Sequence, residues 1–300
     1  QHVTDELWLK HLQGSQSLGI IPINEENQCI WGCVDIDSYA GFDHKKYALQ
    51  EGIKKASNDY ILLTDADCLP NSPLWISEMT QGLTDKKQIA LGISFYNRTK
   101  SLLNHFIQFE TYYTALQYIG FAQAGHPYMG VGRNLLYKKT QFMNNIQFDS
   151  IKTHIGGDDD LLLQQFLTKS NVLTSINQNA QTSSIPKKTV ESWFIQKTRH
   201  LSAGKKYPLN TKIQLGLLQL SHLVFYICIF CSFFQPQILV GTISAYLLRT
   251  IIIFSIFEAI SKKFGNRLTK KEILFGDFAY AVYFFLTGIF TLYTKKLKWE

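Results

Sequence analysis

The sequence predicts an α/β domain over residues 1–204, followed by a membrane region over residues 205–300. An amphipathic helix over residues 45–57 leads directly into a short apolar strand that ends on acidic residues, and this order is typical of α/β folds. Residues 213–234 contain no charged residue. As a helix, they are long enough to cross a hydrocarbon core of about 30 Å.

The stretch that follows this helix, residues 60–69, begins with an apolar run that predicts a buried strand and stops abruptly on two carboxylates, Asp65 and Asp67. Carboxylates are costly to bury unless a cation meets them, and residues i and i+2 of an extended segment point to the same face. Mg²⁺ is usually held by one or two carboxylates together with phosphate oxygens and water. We therefore interpret Asp65 and Asp67 as a pair that holds a divalent cation.

The next elements continue the alternation of helices and strands. Periodicity predicts a helix over residues 73–83, a strand over 89–95 and a helix over 101–118. A glycine-rich stretch over residues 125–137 then leads into an apolar run. Its glycines match no dinucleotide-binding or phosphate-loop spacing. From spacing alone we interpret this stretch as a turn that leads into a strand.

A second acidic cluster, Asp158 to Asp160, stands between two glycines and three leucines. One interpretation is structural, because acidic groups at a helix N-terminus are stabilised by the helix dipole. Three successive carboxylates exceed what capping needs, and crowding raises the pKa of at least one of them, as a general base requires. Asp159, in the middle, is the candidate base.

A helix predicted over residues 192–203 places Gln196, Arg199 and His200 within one turn, close to Trp193. This pattern is typical of an amphipathic helix that lies on a membrane surface ahead of a membrane span. It also suits phosphate recognition, because a guanidinium group binds phosphate through two hydrogen bonds. Both interpretations remain open at this point.

Two further apolar segments follow the first one, over residues 238–260 and 273–293. If the domain is cytoplasmic and all three segments span, the basic C-terminal tail lands outside, against the positive-inside tendency. Either this tendency fails here or one segment is interfacial or re-entrant. Arg249 makes the second segment suspect, because a charge at the membrane midplane is costly unless it is paired. Glu258 is a partner for Arg249 only if the helix turns allow it.

The formal net charge is +7, and its basic clusters flank the apolar segments. This placement indicates contacts with lipid headgroups. A basic stripe with interleaved aromatic residues does not run through the soluble part, so we expect no nucleic-acid partner.

Taken together and in this order, the motifs resemble those of a membrane-anchored, inverting glycosyltransferase of family 2. They are Asp-Ala-Asp after a strand, an acidic pair before an apolar helix, and Gln-x-x-Arg followed by a ring ahead of membrane segments. Lys45-x-x-Ala-Leu upstream and Gly-x-Gly-x-Asn134 between them add to the resemblance, which covers about residues 45–203. The family's last motif ends in Trp, where this chain has His200.

The resemblance implies a GT-A fold, a nucleotide-sugar-binding α/β sandwich. By it, Asp65 and Asp67 hold Mg²⁺ or Mn²⁺ on the diphosphate of a nucleotide sugar, and Asp159 deprotonates a hydroxyl of a lipid-linked or polysaccharide acceptor. The sugar moves in one in-line displacement with inversion. The residues that bind the substrates are then Lys45, Asp65, Asn134, Asp158, Gln196, Arg199 and His200. The protein is expected in the inner or plasma membrane, with several spans and a cytoplasmic catalytic domain.

Members of the family begin with a strand, a helix and a second strand that ends in an acidic turn, a unit of about 30 or more residues. Residues 1–5 resemble the tail of that turn, with Gln1 where the family places an Asp. We therefore expect the sequence to lack the βαβ start, and the chain alone to bind nucleotide poorly. Calorimetric titration with UDP and Mn²⁺ measures this binding.

Two alternative functions remain. In a metal-dependent phosphoesterase, Asp65, Asp67 and the acidic cluster at 158–160 would hold two metal ions, with His154 as the only nearby histidine. In the second alternative, the chain is a catalytically impaired membrane scaffold that keeps the same fold.

Overall fold

The computed structural model describes residues 44–145, 159–265 and 268–293. The α-helices are α1 (His44–Lys55), α2 (Trp75–Thr80), α3 (Leu102–Gln123), α4 (Lys139–Asn145), α5 (Asp160–Leu163), α6 (Val190–Ala203), α7 (Leu209–Ser232), α8 (Pro236–Phe264) and α9 (Lys270–Tyr293). The strands are β1 (Tyr60–Leu63), β2 (Cys68–Pro70), β3 (Ile89–Leu91), β4 (Ser94–Tyr96), β5 (Leu135–Lys138), β6 (Val172–Thr174) and β7 (Thr182–Ser184).

The strands form two mixed sheets. The first has the order β1-β5-β3-β6, in which β5 runs antiparallel to both β1 and β3 and β6 runs parallel to β3. The second has the order β2-β7-β4, with β7 antiparallel to β2 and parallel to β4. The glycine-rich stretch leads into β5, which confirms its interpretation as a turn before a strand.

The single strand predicted over residues 89–95 was wrong, because the chain changes sheets within it. β3 lies in the first sheet and β4 in the second. At the change, the Gly92 amide donates to the carbonyl of Asn134 at 3.0 Å. A Cβ atom at Gly92 would come within 2.5 Å of the Asn134 side chain, so only glycine fits this crossing.

Helix α3 is the centre of the hydrophobic core and is longer than the predicted helix over 101–118. It begins after Ser101, whose side chain accepts a hydrogen bond from the Asn104 amide. Phe109 and Tyr112 on this helix are fully buried. Phe109 stacks on Phe257 of α8, so the helices predicted for the membrane region pack directly on this core helix.

Three helices in the described part of the chain, α7, α8 and α9, are long and apolar enough to cross a membrane. The structure therefore confirms an α/β arrangement followed by three apolar helices. Large apolar side chains such as Phe230, Leu248 and Phe275 are exposed on all three helices. In a bilayer these side chains would face lipid.

Arg249 on α8 pairs with Asp277 on α9, and Glu258 does not contribute to this pair. The guanidinium of Arg249 donates to both carboxylate oxygens of Asp277, with Nη2 3.1 Å from Oδ1. Glu258 is exposed and lies 3.7 Å from Lys262. Arg249 and Glu258 are nine residues apart, which at about 100° per residue puts them on opposite faces of the helix.

Two side chains of α7 also contact the carboxylate of Asp277, so this one group joins all three apolar helices. The Tyr226 hydroxyl donates to it at 2.5 Å, and His222 Nε2 lies 3.2 Å from its other oxygen. Asp277 and His222 are buried.

Candidate active site

A cavity of about 440 Å³ lies between the α/β region and the apolar helices. Five residues predicted for the site line it, and they come from three separate segments of the chain. They are Asp65, Asp159, Gln196, Arg199 and His200.

Asp65 reaches this cavity from the turn after β1. The turn is held by Thr64, whose hydroxyl donates to the carbonyl of Arg133 at 3.1 Å. Asp67 is exposed and is not among the described residues that line the cavity. Its carboxylate accepts a 3.6 Å hydrogen bond from the thiol of Cys68. Burial raises the pKa of Cys68 to about 11, so this thiol stays protonated at neutral pH.

Asp159 is the N-cap of α5 and lines the cavity at the same time. Its Oδ1 accepts from the Asp160 amide at 3.0 Å, and its Oδ2 accepts from the Gly132 amide at 2.8 Å. A Cβ atom at Gly132 would lie 3.2 Å from the same Oδ2. The glycine therefore lets the backbone of the glycine-rich stretch approach the candidate base closely.

Asp160 is buried and anchors the cavity wall to the start of α7. One of its oxygens accepts from the Leu161 amide at 3.0 Å, and the other accepts from the hydroxyl of Tyr207. Burial and the neighbouring Asp160 carboxylate hold the pKa of Tyr207 well above its ordinary value. Tyr207 thus stays a hydrogen-bond donor to Asp160 at every physiological pH.

Helix α6 contributes Gln196, Arg199 and His200 to the cavity, as the spacing predicted. Gln196 Nε2 donates to the hydroxyl of Tyr96 at 3.4 Å. Trp193, one turn earlier, is buried against Tyr283 of α9. The helix therefore packs its indole ring on the apolar helices and presents its polar turn to the cavity.

Asn134 lies outside the cavity as far as the described residues define it. It is fully buried, and its amide nitrogen donates to the carbonyls of Ile93 and Ala180 at 2.8 and 2.7 Å. Its oxygen accepts from the indole of Trp75 at 3.0 Å. These contacts join both sheets and α2, which is a structural role. Two other predicted residues, the Lys45 side chain and Asp158, lie outside the described part of the chain.

Arg133 is a cavity residue that the sequence did not single out. Its guanidinium lies over the ring of Tyr96, 4.3 Å from the centroid. Nη1 is buried and has no hydrogen-bond partner among the residues that the structure describes. Burial opposes the charge, but Tyr96, Cys68 and Asp65 outweigh it, so the pKa of Arg133 is raised. A charged donor atom without a hydrogen-bond partner among the described residues, in the cavity that Asp65 also lines, is suited to bind an anion.

Glu110 and Lys197 form a second feature that the sequence did not indicate. Lys197 Nζ lies 2.5 Å from Glu110 Oε2, and both side chains are buried in the cavity wall. Thr114 donates to the other Glu110 oxygen at 3.3 Å. The pair holds α6 against α3 and so sets the position of the cavity-lining turn of α6.

Replacing Arg133 with Met is expected to weaken the binding of a diphosphate such as UDP, if the cavity takes this ligand, by about tenfold or more, because a charge-assisted hydrogen bond is lost. Because Nη2 donates to the Ser94 carbonyl at 3.5 Å and the guanidinium lies over Tyr96, thermal unfolding is measured in parallel to separate lost binding from lost stability. Calorimetry measures the affinity. Lys86→Met, at an exposed position away from the cavity, is the control. Equal affinities for both variants would assign Arg133 no role in binding.

An α/β region that gathers carboxylates and guanidinium groups on one cavity is typical of enzymes that act on phosphorylated substrates. The family model described as Glycosyl transferase family 2 matches residues 41–143. Over these residues the chain is similar to family 2 glycosyltransferases, as its motifs suggested. The match includes Asp65 and Arg133 and ends before Asp159 and α6. No curated protein matches the chain significantly.

Proposed function

We propose that the protein transfers a sugar from a nucleotide-diphosphate sugar to a hydroxyl of a lipid-linked or polysaccharide acceptor, with inversion. The observation that supports this most strongly is the meeting of Asp65, Asp159 and Arg199 at one cavity. Its volume, about 440 Å³, is within the range of small-molecule sites. The family match supports the glycosyltransferase class.

Asp159 is the general base of the proposed reaction. The acceptor oxygen attacks the anomeric carbon of the sugar while the bond from that carbon to the diphosphate oxygen breaks. The hydroxyl proton passes to Asp159, and the bonding electrons leave with the diphosphate. The amide of Gly132, 2.8 Å from Asp159 Oδ2, supports this role because it holds the carboxylate in one orientation.

The leaving diphosphate would be met by cationic and polar groups from two segments. Arg133 comes from the glycine-rich stretch, and Arg199 and Gln196 come from α6. Guanidinium groups bind phosphate oxygens in a forked geometry and stabilise the charge that develops as the bond breaks.

A divalent cation fits the chemistry of Asp65 and Asp67, and family 2 enzymes often use one. Within the described ranges, no group of three His, Cys, Asp or Glu residues could cage a metal ion. Phosphate oxygens and water would therefore complete the coordination, as is usual for Mg²⁺. Bound Mg²⁺ or Mn²⁺ would screen the charge of the leaving diphosphate.

Nucleotide release tests this proposal. Membranes that contain the protein are incubated with a panel of UDP- and GDP-sugars and either Mg²⁺ or Mn²⁺. We expect release of UDP or GDP from at least one sugar nucleotide. Cleavage of phosphate esters without a sugar nucleotide would favour the phosphoesterase, and nucleotide binding without any turnover would favour the scaffold.

We also propose that the catalytic domain is cytoplasmic and that only α7 and α8 cross the membrane, as a hairpin. Both ends of α9 contact the α/β part of the chain. Near its start, Glu272 pairs with Arg98 at 2.7 Å, and near its end Phe290 packs on Phe194 of α6, with centroids 5.2 Å apart. The basic tail after α9 then stays on the side of the domain, in agreement with the positive-inside tendency.

Reporter fusions in a bacterial host are expected to show this topology. Green fluorescent protein joined after Glu300 should fluoresce, because it folds in the cytoplasm. Alkaline phosphatase inserted between Phe234 and Gln235, at the turn between α7 and α8, should be active outside. If the C-terminal fluorescent fusion is dark, and alkaline phosphatase fused at the same end is active, then α9 also spans the membrane.

A further inference from the structure

The cavity that contains Asp65 and Asp159 does not end at the α/β part of the chain. It continues between the first and third apolar helices. Its lining there consists of Lys212, Leu215, Gly216 and Gln219 on α7 and Tyr280, Tyr283 and Phe284 on α9. One continuous space therefore connects the candidate base with the helices predicted to contact the bilayer.

Gly216 marks an opening of this space through the face of α7. It lines the cavity and is also exposed to solvent. A Cβ atom at this position would meet no atom of the described chain within 4 Å. Lys212, one turn earlier, also lines the cavity and is exposed. The surface beside the opening is apolar, with Leu217 and Leu220 both more than half exposed.

With the start of α7 taken as the edge of the membrane, this opening lies close to the boundary between headgroups and hydrocarbon. Gly216 is seven residues after Leu209, where α7 begins, which is about 10 Å along the helix axis at 1.5 Å per residue. Lys212 is only three residues after Leu209, about 5 Å along the axis. A lysine at that depth can extend its ammonium group to the headgroup layer while its stem stays in apolar surroundings.

We infer that this opening admits the acceptor from the bilayer, and that the acceptor is a membrane lipid with a phosphate beside its hydroxyl-bearing headgroup. This inference rests on the proposed function. The headgroup enters between α7 and α9 and reaches Asp159, while the hydrocarbon chains stay against Leu217 and Leu220. Lys212 contacts the lipid phosphate. A water-soluble polysaccharide would gain nothing from contact with an apolar face that is covered by lipid. The position of the opening therefore favours a lipid acceptor.

Photo-crosslinking tests the lipid site without any sugar nucleotide. The protein is reconstituted in vesicles that contain a diazirine derivative of either phosphatidylglycerol or a polyprenyl diphosphate sugar, and the adducts are mapped by mass spectrometry. We expect adducts on cavity residues such as Leu215 and Gln219. Gly216→Phe fills the opening and should lower these adducts by about tenfold.

Gly241→Phe on α8 is the matched control, because a Cβ atom there also meets no described atom within 4 Å and the residue does not line the cavity as described. Its adducts should equal those of the unsubstituted protein. A second variant, Lys212→Met, should lower the adducts by about threefold relative to Lys263→Met, which removes an exposed lysine from the end of α8. Since neither lysine substitution changes a buried side chain, this arm does not depend on the folding of Gly216→Phe.

Equal adducts in Gly216→Phe and Gly241→Phe would overturn the inference. The inference would also be overturned if the protein transferred sugar to a soluble oligosaccharide at a rate that Gly216→Phe does not change. That result would still agree with the proposed transferase function. If the unsubstituted protein shows no turnover, the proposed function fails, but the crosslinking still decides whether lipid enters. The lipid that gives cavity adducts identifies the source of the phosphate.

Discussion

Asp159→Asn is expected to lower kcat of sugar transfer by about 10²- to 10⁴-fold, which is the usual contribution of a general base. An amide cannot take the proton of the acceptor hydroxyl. It has nearly the same shape as the carboxylate, and Asn is as good an N-cap as Asp. The substitution therefore removes the base and can keep the N-cap hydrogen bond from the Asp160 amide, but its NH2 group cannot accept from the Gly132 amide.

The measurement is acceptor-dependent release of nucleotide, with calorimetry of nucleotide binding in parallel. Binding should stay within about threefold of the unsubstituted protein, because Asp159 acts on the acceptor side in the proposed reaction. Asp85→Asn makes the same chemical change at an exposed position away from the cavity and should leave kcat unaltered. A kcat for Asp159→Asn within about threefold of the Asp85→Asn value would remove Asp159 from the role of base.

Arg249→Met is expected to lower the free energy of unfolding by about 3–5 kcal/mol, because it leaves the buried carboxylate of Asp277 without its cation. The tyrosine and histidine of α7 that also contact Asp277 cannot replace a permanent charge. The three apolar helices meet at this carboxylate, so we expect their association to loosen as well.

Thermal unfolding in detergent measures this effect. Glu258→Gln is the control on the same helix. Glu258 is exposed, and its ion-pair partner among the described residues, Lys262, is exposed as well. The double variant Arg249→Met with Asp277→Leu should recover most of the stability, because apolar side chains often replace a buried ion pair at little cost. If Arg249→Met unfolds at the same temperature as Glu258→Gln, the pair does not stabilise the helices.

Local pattern was enough to predict most of the elements and to single out five residues that line the cavity. The amphipathic helix before β1, the acidic turn at Asp65 and the uncharged run of α7 are each encoded within a few adjacent residues. Residues three and four apart on a helix share a face, so the turn of α6 that carries Gln196 and Arg199 could be predicted as one surface. The same local chemistry carried the resemblance to family 2.

Contacts between distant segments could be decided only by the tertiary structure. Arg133 lines the same cavity as Asp65, 68 residues away in the chain, and the ion pair of Glu110 with Lys197 spans 87 residues. No periodicity relates such positions, because a sequence pattern records which face of an element is apolar but does not record which polar groups meet across that face.

The partner of Arg249 was decided in the same way. Within its own helix the nearest carboxylate points to the opposite face, so only the packing of α8 on α9 could supply Asp277. The opening at Gly216 also depends on packing, since a glycine in an apolar helix marks a gap only where a cavity lies behind it. The sequence by itself thus determined most of the elements and the local motifs, and the tertiary structure decided how they combine around one cavity, because contacts between distant segments leave no local pattern.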